Sequence, residues 1–575
     1  MKIIFLTDIH GSFSQAAALL YETLADVYVI GGDLIDIPFY SINTAIHYHD
    51  MQTHLVSVRK KMKKQNMILE DFVDWLLEKP NAQEDIIEKG SEYQQYTIRA
   101  RRVMQQKYKL LENMISFKTS ATVFALPGNY DMDLKFTSLH ERDLHLHWHD
   151  IDGLKIAGYG GADVWTAGIP ERYIVNYKGG IGVNDRNNEL YNFLDAIKPD
   201  IVVTHQPPHG IHDRIGRIGP SGSPALRTFC DNNRVRLCLS GHIHNDWGFK
   251  GIDDCVYLNP SNFGEVTTVQ GEVSEGGFFF QADFDGSDLA MVSLKKLVND
   301  RVHDIAEYHR KDGRWAEDII DAERYQARRL GENYDMKIEK YSHIPEIELF
   351  KDIKNFFRLF RTQETEERLD DLENAIALLK DKFDDIAMDI VGSVNMGISQ
   401  QSSDIDVVLY LRCGKNCQDM YHQCDYYSSA RALIENIIGD KYKFEIIDCI
   451  DLNVVEQSII TKNYECEVTQ RFVAYRSICR PVNYKSIAPI EDILNEDIEF
   501  RRELEGSIRS YFRIFANTSQ HMRSFDKYEA RLKSIGIKLP ESIRDKIREY
   551  LQVTKVDPPV TGNPEAAATP PADEG

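Results

Sequence analysis

The sequence has no surplus of positive charge. Its 575 residues include 68 lysines and arginines against 90 aspartates and glutamates, which gives a formal net charge of −22 at pH 7. A protein that holds duplex DNA through general basicity needs clustered lysine and arginine side chains to contact the phosphates. The composition therefore argues against that class of protein and leaves room only for a local basic strip.

Long apolar runs are absent as well. No stretch of the sequence approaches the ~20 apolar residues that a membrane-spanning helix requires. The first apolar run ends at Thr7-Asp8, so it is shorter than the apolar region of a secretory signal. We therefore expect a cytoplasmic protein that has no membrane partner.

Cysteine is scarce, and its spacing shows no paired motif. The nine cysteines are an odd number, and no two of them form a Cys-x-x-Cys pair. Scattered thiols of this kind are typical of a reducing compartment. Cys413, Cys417 and Cys424 lie close together, but their spacing matches no common zinc finger, so ordinary thiols are the favoured interpretation.

The composition is otherwise that of a large globular protein. Hydrophobic residues make up 42% of the chain and aromatic residues 10%, and the length suggests about three or four domains. The first 300 or so residues alternate short apolar runs with polar stretches of helical period, which predicts an α/β fold with a largely buried sheet. The apolar runs lie at residues 2–7, 27–30, 121–126, 154–157, 201–204, 237–240 and 256–258.

A long insertion interrupts this pattern at residues 40–117. It has a helical period and no strand signal, and it carries two basic stretches at 58–64 and 99–102. These cations have two interpretations, a solvated helical face or a cap that attracts a phosphate-rich substrate toward a cleft.

The rest of the chain is divided by composition and periodicity. After a first domain at 1–295, the highly charged segment 296–369 predicts a helical connector. A second α/β unit follows at 370–485, with strands at 387–391, 405–411 and 443–449 and a helix at 420–438. Residues 486–555 predict further helices. The tail at 556–575 is rich in proline, alanine, glycine and acidic residues, so we expect it to be disordered.

Residues that bind divalent metals follow five of the first domain's apolar runs. If these runs are neighbouring strands, their carboxyl ends bring the side chains together at one edge of the sheet. An aspartate and a histidine two positions apart can bind one ion, and a single carboxylate such as Asp33 can bridge two. The residues concerned are Asp8, His10, Asp33, Asn129, His205, His242 and His244.

This ordered series resembles the calcineurin-like metallophosphoesterases over about residues 1 to 290. The resemblance implies a β-sandwich flanked by helices and a site for two divalent ions, such as Mn, Fe or Zn. It implies one ion held by Asp8, His10, Asp33 and His244, and a second held by Asp33, Asn129, His205 and His242. The implied reaction is attack of a metal-activated water on phosphorus.

One position departs from the family pattern. The family usually has a histidine after the asparagine, and this histidine helps to protonate the leaving group, whereas this chain has Tyr130. A phenol with an ordinary pKa near 10 is a weaker acid at neutral pH. The substitution therefore favours phosphodiesters over monoesters as substrates. Asp33, Asn129 and Tyr130 are the catalytic candidates, and Asp131, His209 and His212 are further candidates to assist.

A second motif lies in the second α/β unit. The predicted strand at 387–391 leads into Gly392-Ser393, and the chain continues through Gly397 to Ser403-Asp404-Ile405-Asp406. A small Gly-Ser pair before a helix leaves backbone N–H groups free to receive a triphosphate. Asp404 and Asp406 alternate along a strand, so they point to the same face and can hold Mg²⁺ together.

This motif resembles that of the nucleotidyltransferases of the DNA polymerase β superfamily over about residues 370 to 480. The resemblance implies Mg²⁺ with a nucleoside triphosphate (NTP), bound near Gly392, Ser393 and Ser403. It also implies a third carboxylate on a later strand, for which Glu445 is the first choice, followed by Asp448 and Asp451. The arginines often found between Gly-Ser and the next glycine are absent. Arg471, Arg476 and Arg480 on the following helices either cover the nucleotide or acceptor or form an exposed face.

Together the two motifs predict a bifunctional enzyme. One half hydrolyses phosphate esters, with phosphodiesters favoured, and the other moves a nucleotidyl group from NTP to an acceptor. The acceptor could be an RNA end, a protein or a small molecule, and the sequence does not distinguish these or the oligomeric state. The alternative is a phosphoesterase that is regulated by a catalytically inactive, nucleotide-binding domain.

Overall fold

The computed structural model describes most of the chain. The described residues are 1–39, 41–79, 84–164, 166–179, 188–216, 219–267, 273–311, 313–335, 344–380, 382–383, 385–413, 424–483, 487–515 and 518–555. Residue 40, Cys417, the predicted helix start at 420 and the predicted disordered tail at 556–575 lie outside them. The chain divides into two compact units, one of Met1–Ile338 with Arg358–Phe360 and one of Glu339–Phe357 with Arg361–Gly575.

The first unit is a mixed α/β structure. Its described strands are β1 (Lys2–Leu6), β2 (Val27–Ile30), β3 (Thr122–Ala125), β4 (Trp148–Ile151), β5 (Leu154–Tyr159), β6 (Ile201–Thr204), β7 (Arg214–Ile215), β8 (Gly219–Pro220), β9 (Leu237–Leu239), β10 (Gly248–Ile252), β11 (Cys255–Asn259), β12 (Val266–Thr267), β13 (Val273–Ser274), β14 (Phe278–Asp285), β15 (Asp288–Val298), β16 (Arg301–Lys311) and β17 (Arg314–Ile319). Its described helices are α1 (Phe13–Glu22), α2 (Ile42–Lys61), α3 (Leu69–Leu77), α4 (Glu84–Lys118), α5 (Glu189–Ile197), α6 (Pro224–Asn232) and α7 (Ala322–Leu330).

Two sheets face each other across one apolar core. The first has seven strands in the order β17-β16-β15-β14-β1-β2-β3, and the second has six in the order β10-β11-β9-β6-β5-β4. Alternate residues of both sheets, such as Phe5 and Val29 in the first and Val203 and Leu239 in the second, are buried in this shared core. Since strand side chains alternate between faces, the opposite faces are left for the helices. The layered fold expected for the first 300 residues is present.

The parallel strands fix where the metal-binding residues lie. Strands β1, β2 and β3 are parallel neighbours, and so are β5, β6 and β9. All four described residues of β2 are buried, and so are all four of β6, as expected for short strands that are covered on both faces. The loops at their carboxyl ends therefore emerge at a common edge.

The prediction that residues 296–369 form a helical connector fails at residues 296–298, which end β15, and is also wrong for residues 301–311 and 314–319. The latter two segments form β16 and β17, which extend the first sheet by antiparallel hairpins. Asn299 and Asp300 have φ values of 50° and 61°, the left-handed pair that a tight two-residue hairpin turn requires. The charges that suggested a helix surface pair across strands, as Lys295 does with Asp304.

The insertion is helical, as predicted, and has its own apolar core. Tyr48 and Leu55 of α2, Phe72 of α3 and Tyr93 of α4 are all fully buried in one cluster. The basic stretches are only partly solvated, because Arg59 is buried and pairs with Glu171 at 2.8 Å. Arg101 lies over the ring of Tyr173, 4.7 Å from its centre.

The second unit has a small four-stranded sheet surrounded by helices. Its described strands are β18 (Ala387–Ile390), β19 (Ile405–Leu411), β20 (Phe444–Asp451) and β21 (Arg480–Pro481), in the order β20-β19-β18-β21. The first three agree with the predicted strands. The helices from residue 345 onward are α8 (Pro345–Arg358), α9 (Gln363–Lys380), α10 (Gly392–Asn395), α11 (Asp425–Ile438), α12 (Leu452–Ile460), α13 (Glu467–Ile478), α14 (Ala488–Glu496), α15 (Ile498–Phe515), α16 (Thr518–Ser534) and α17 (Glu541–Val553).

The interior of the second unit contains a buried ion pair network. Arg476 of α13 is buried, its Nε atom lies 2.8 Å from Glu491 Oε1, and its Nη1 atom pairs with Asp389. A buried guanidinium between two carboxylates is a structural group. The interpretation of Arg476 as a nucleotide contact or as part of an exposed face is therefore wrong.

Among the described residues, none of the helices combines the length and the apolar character needed to span a bilayer.

Candidate metal centre

The metal-binding residues occupy the loops that follow five strands of the first unit. Asp8 and His10 follow β1, Asp33 follows β2 and Asn129 follows β3, all in the first sheet. His205 follows β6, and His242 and His244 follow β9, both in the second sheet. The carboxyl ends of both sheets therefore contribute to one site.

One group of ligands consists of Asp8, His10 and His244. Their side-chain donor atoms all lie within 4.8 Å of one another. His244 Nε2 is 3.0 Å from Asp8 Oδ1, and His10 Nε2 is 3.8 Å from the same oxygen. This spacing leaves one carboxylate and two imidazoles able to bind a single ion.

A second group consists of Asp33, His205 and His242, with donor atoms again within 4.8 Å of one another. His205 Nε2 lies 3.4 Å from Asp33 Oδ2 and 3.1 Å from Asn129 Oδ1. The two groups contain the residues that the family resemblance implies for each ion, except that Asp33 belongs to the second group alone. Asn129 lies beside the second group.

Hydrogen bonds from neighbouring groups orient these ligands. The carbonyl of Gly31 accepts from His205 Nδ1 at 2.9 Å, so this ring nitrogen carries a hydrogen and Nε2 is the atom that faces Asp33 and Asn129. Asp8 Oδ2 accepts from the Thr7 hydroxyl at 2.6 Å and from the backbone of His242 at 3.1 Å. The oxygen of Asp8 that does not face its histidine partners is therefore occupied by protein donors.

Several ligands have an uncommon backbone conformation. Asp8, His10, Asp33 and His242 have φ values of 54°, 41°, 49° and 68°, all in the left-handed region. Residues other than glycine in this region carry a cost of about 1–3 kcal/mol each and cluster at functional sites. The sharp turns aim consecutive loop side chains into the cleft instead of along the strands.

Two glycines allow the loops to approach this closely. A Cβ atom on Gly128 would lie 2.2 Å from Asp33 Oδ1, and one on Gly241 would lie 2.2 Å from Thr7 Oγ1. Both distances are far below van der Waals contact, so any side chain at these positions would displace a ligand or its hydrogen-bond donor.

The electrostatics of the site favour ionised carboxylates. Burial by itself would raise the pKa of Asp8, but the hydrogen bond from His244 and the charge of His205 outweigh it, so the pKa lies well below its usual range. For His205, burial by itself would lower the pKa, because it disfavours the charged imidazolium. The charge of Asp33 outweighs burial, and the pKa of His205 is raised to about 9. Burial and the charge of His205 lower the pKa of His242 to about 4.

The donor set fits divalent cations. Within the described part of the chain, His10 Nε2 is buried and has no hydrogen-bond partner, as expected of a nitrogen whose lone pair is reserved for a metal. Imidazole nitrogens combined with carboxylate oxygens suit ions such as Mn²⁺, Fe²⁺ and Zn²⁺. The two groups share one cleft, so the site fits a pair of such ions.

Asp131 and Tyr130, which follow Asn129 in the sequence, have different surroundings. Asp131 is fully buried, and its carboxylate accepts from the backbone of Leu34 at 2.9 Å and of Gly128 at 2.8 Å. It therefore ties the loop after β2 to the loop after β3 and does not face solvent. Tyr130 is 37% exposed and lines the cleft, and burial together with the charge of Asp33 raises its pKa. The phenol is thus an even weaker acid than its ordinary pKa implies.

The cleft over the metal centre has a volume of about 840 Å³. It includes residues that the sequence analysis did not predict, and no short motif marks them. None of its described lining residues comes from the basic stretches of the insertion, nor is His209 or His212 among them. The additional lining residues are Asp36, Ile37, His49, Val164, Thr166, Ala167, Glu265, Val266 and Thr267.

The second unit places three predicted carboxylates on one face of its sheet. Asp404 immediately precedes β19, and Asp406 lies within it. Glu445 of β20 lies directly opposite Asp406 in the parallel pairing. Burial and then the charges of Asp404 and Glu445 raise the pKa of Asp406. Asp404 is paired with Lys443 at 2.8 Å. Among the described residues these carboxylates do not converge as tightly as the two histidine groups.

The two alternatives for the third carboxylate have other partners. Asp448 Oδ2 lies 3.0 Å from Arg471 Nε. Asp451 Oδ1 accepts from the backbone of Asn453 at 3.0 Å, at the start of α12. Glu445 is exposed on the face of Asp406, so the geometry favours it over both.

The Gly-Ser motif lies against the same carboxylates. Gly392 has φ of 61°, and a Cβ atom there would lie 2.6 Å from Asp406 Oδ2. Ser393 is half-buried in α10, and this helix is only one turn long. Ser403 Oγ accepts from the backbone of Gln400 at 2.9 Å. The buried Arg368, which the sequence analysis missed, donates to the carbonyl of Ser403 at 3.0 Å and holds the loop before Asp404.

Comparisons with known proteins agree with the geometry of the first unit. The family model described as calcineurin-like phosphoesterase matches residues 1–246. An uncharacterized protein of Methanocaldococcus jannaschii is 23% identical over 160 residues, which cover 27% of this chain and 70% of that protein.

Solved structures give weaker likenesses. A Thermus thermophilus protein is 12% identical with a TM-score of 0.24, covering 53% of this chain and 97% of its own. A predicted phosphoesterase from Streptococcus pneumoniae is 10% identical with a TM-score of 0.20, and the match covers 56% of this chain and 97% of that protein. Vacuolar Protein Sorting 29 from Cryptosporidium parvum is 10% identical with a TM-score of 0.21, and the match covers 56% of this chain and 96% of that protein.

The matched residues include every predicted metal ligand of the first unit, from Asp8 to His244. The first unit therefore contains a calcineurin-like phosphoesterase domain, with two groups of residues suited to divalent metals.

Proposed function

We propose that the first unit is a dinuclear-metal phosphodiesterase. The observation that carries the proposal is the meeting of two ligand groups, Asp8 with His10 and His244 and Asp33 with His205 and His242, in a single cleft. These residues would hold two divalent cations, which would supply an activated water and stabilise negative charge on the phosphate. Side chains of the protein position the groups that react.

Asp33 and Asn129 position the reacting groups. The backbone N–H of Tyr130 donates to Asp33 Oδ1 at 2.8 Å, which leaves Oδ2 turned toward His205. Asn129 Nδ2 donates to Thr166 Oγ1 at 2.9 Å, so the amide oxygen is presented to the second ligand group. Both side chains are thereby fixed before substrate binds, which reduces the reorganisation needed for catalysis.

Two features support a diester as substrate. A cleft of about 840 Å³ lies in the upper part of the range for ligand sites, so it leaves room for substituents on both sides of a phosphate. The residue after Asn129 is a tyrosine whose raised pKa makes it a poor proton donor. A monoesterase of this family would have the usual histidine there.

Replacement of Asp33 tests this function. Asp33→Ala removes a carboxylate that lies among the second group of ligands, so Mn²⁺-dependent hydrolysis of bis(4-nitrophenyl) phosphate should fall by more than about 10²-fold. The comparison substrate is 4-nitrophenyl phosphate, which the parent protein should hydrolyse more slowly. The Asp404→Ala, Asp406→Ala double variant is the matched control and should keep full hydrolysis. Retained hydrolysis in Asp33→Ala would place the metal site elsewhere.

We further propose that the second unit is a Mg²⁺-dependent nucleotidyltransferase. The specific observation in favour is the pairing of Glu445 with Asp406 in neighbouring parallel strands, with the backbone of Gly392 packed against Asp406. Like charges held this close destabilise one another until a cation neutralises them, and together with burial this explains the raised pKa of Asp406. The carboxylates would hold Mg²⁺ with NTP, and Gly392, Ser393 and Ser403 would contact its phosphates.

A labelling experiment tests the transferase and its acceptor. The protein carries Asp33→Ala so that the hydrolase cannot remove the product, and it is incubated with α-labelled NTPs, Mg²⁺ and cell extract. Label that depends on Asp404 and Asp406 should appear in the RNA, protein or small-molecule fraction. Glu445→Gln should abolish it, whereas Asp451→Asn should only weaken it. NTP binding without any label would favour the regulatory alternative.

A further inference from the structure

The wall of the metal cleft is formed in part by the helical insertion. His49 of α2 lines the same cleft as His10, Asp33 and Tyr130. It is the one imidazole among the described lining residues that does not belong to a ligand group. The cleft therefore contains an imidazole outside both candidate ligand groups, and imidazole is the side chain that most often acts as a general acid.

We propose that His49 donates the proton to the leaving-group oxygen during hydrolysis in this cleft. The proposal rests on the phosphodiesterase function proposed above and names the acid that this chain uses in place of the histidine missing at position 130. The ring is 49% exposed, and its Nδ1 atom lies 3.4 Å from Asp50 Oδ1. A carboxylate at Nδ1 leaves Nε2 as the donating atom.

The insertion is held rigidly to the rim of the cleft. Gln52, one turn after His49, is fully buried, donates to the carbonyl of Ile169 at 2.7 Å and accepts from the backbone of Gly168. Glu70 of α3 accepts from the backbone of Glu171 and Arg172, each at 3.0 Å. These buried contacts fix α2 against the segment that carries Thr166.

The same segment reaches the metal centre. Thr166 Oγ1 accepts from Asn129 Nδ2 at 2.9 Å. Gln52, the loop at 166–169 and Asn129 are thus connected by hydrogen bonds, so the distance between α2 and the second ligand group is fixed by protein contacts. A proton donor on α2 is held in place before substrate binds.

The other acidic groups of the wall are poorer proton donors. Asp36 is paired with Lys107 at 2.5 Å, and carboxyl groups have ordinary pKa values of about 4. An imidazole is better matched to general acid catalysis at neutral pH.

The proposed step is balanced in atoms and electrons. The oxygen of water forms a bond to phosphorus while the bond from phosphorus to the leaving oxygen breaks. The electron pair of that bond stays on the leaving oxygen and takes the proton from His49 Nε2. The proton lost by the water passes to solvent, and a proton from solvent restores the imidazolium.

The test is the dependence of kcat/KM on the leaving group. Aryl phosphodiesters with one common substituent and a range of leaving phenols are hydrolysed with Mn²⁺ by the parent and by His49→Gln. Poor leaving groups need protonation and good ones do not, so His49→Gln should lose about 10²- to 10⁴-fold on the phenyl ester and little on the 4-nitrophenyl ester.

His47→Gln is the matched control. His47 is on the same helix with the same 49% exposure, but it pairs with Glu92 at 2.8 Å and does not line the cleft. Two residues apart on a helix point about 200° away from each other. His47→Gln should keep the parent's leaving-group dependence, and all variants should bind the same amount of metal and unfold at the same temperature.

A binding measurement gives a readout apart from turnover. In protein labelled with ¹⁵N-histidine, a slowly hydrolysed phosphorothioate diester should shift the ring signals that disappear in His49→Gln and leave those of His47 unchanged. Equal leaving-group dependence in the parent and His49→Gln would overturn the proposal while leaving the phosphodiesterase function intact. Failure of the parent on every diester would refute the proposed function, and the role of His49 with it.

Discussion

At the scale of single residues, burial and charge compete at many positions of this protein. Burial favours the neutral form of a carboxyl, and only nearby cations or donors restore the charge. At Asp8 the neighbouring histidines lower the pKa by more than burial raises it, so the carboxylate stays ionised. At Asp143, which is 5% exposed, burial wins with help from the charge of Asp133, and the pKa rises to about 7.

Asp143 should make the stability of the first unit depend on pH. The ordinary pKa of an aspartate in the unfolded chain is about 3.9, below the folded value. The folded protein therefore keeps a proton that the unfolded chain releases between about pH 4 and 7. The contribution of Asp143 to the free energy of unfolding should fall over that interval, by up to about 4 kcal/mol, and stay level above it.

Asp143→Asn removes this titration and keeps an oxygen for the backbone N–H of His145, which donates to Asp143 at 2.9 Å. The variant should match the parent near pH 4 and exceed it in stability near pH 7.5. Urea unfolding followed by tryptophan fluorescence measures this, because all five tryptophans lie in the first unit. Parallel curves for the two proteins would contradict the assignment.

At the scale of elements, turns and helix ends decide what the periodicity leaves open. The hairpin through Asn299 and Asp300 converts a charged segment into the outer strands of the first sheet. The one-turn helix α10 similarly makes the Gly-Ser motif a tight loop instead of the start of a long helix. In both cases a few backbone angles determine the element, and composition contributes little.

Two glycines with equal space but different backbone angles should respond oppositely to alanine. A Cβ atom at Gly506 in α15 or at Gly331 after α7 would meet nothing within 4 Å. Gly506→Ala should raise the free energy of unfolding by about 0.5–1 kcal/mol, because alanine favours helix. Gly331 has φ of 71°, so Gly331→Ala should lower it by about 1 kcal/mol. Calorimetry of each variant checks the signs, and equal signs would contradict the backbone argument.

At the scale of the whole molecule, the chain consists of two units with separate candidate chemistry. Every candidate metal ligand of the phosphoesterase domain lies between residues 8 and 244, inside the unit Met1–Ile338. The carboxylates proposed for transfer all lie in the other unit. The net charge of −22 gives no general attraction for polyanions, so small diesters are suitable first substrates.

A fragment of residues 1–338 should therefore retain hydrolysis. Its apolar core is formed between its own two sheets, and its ligands do not depend on later residues. The fragment should bind two equivalents of Mn²⁺ and hydrolyse bis(4-nitrophenyl) phosphate within about threefold of the full chain, since additivity holds for independent parts. A folded fragment, judged by tryptophan fluorescence, that binds metal but does not hydrolyse would contradict this independence.

The sequence by itself determined which candidate metal-binding residues are present and that they follow short apolar runs, whereas the fold decided how they group. Each ligand lies within a few residues of a short apolar run, and a strand followed by a tight loop is a local property that a linear pattern records. The strands β18, β19 and β20 and the helical insertion were predictable for the same reason. The wrong prediction at residues 301–311 and 314–319 shows the limit, because charges that pair across a hairpin look like a helix surface in one dimension.

Only the tertiary structure decided the use of residues that meet from distant parts of the chain. Arg476 became an internal ion pair because Asp389 and Glu491 close around it, and Asp131 became a brace between two loops. His49 reaches the metal cleft because Gln52 fastens its helix to the loop beside Asn129. Contacts of this kind depend on packing between elements, which the order of residues along the chain does not display.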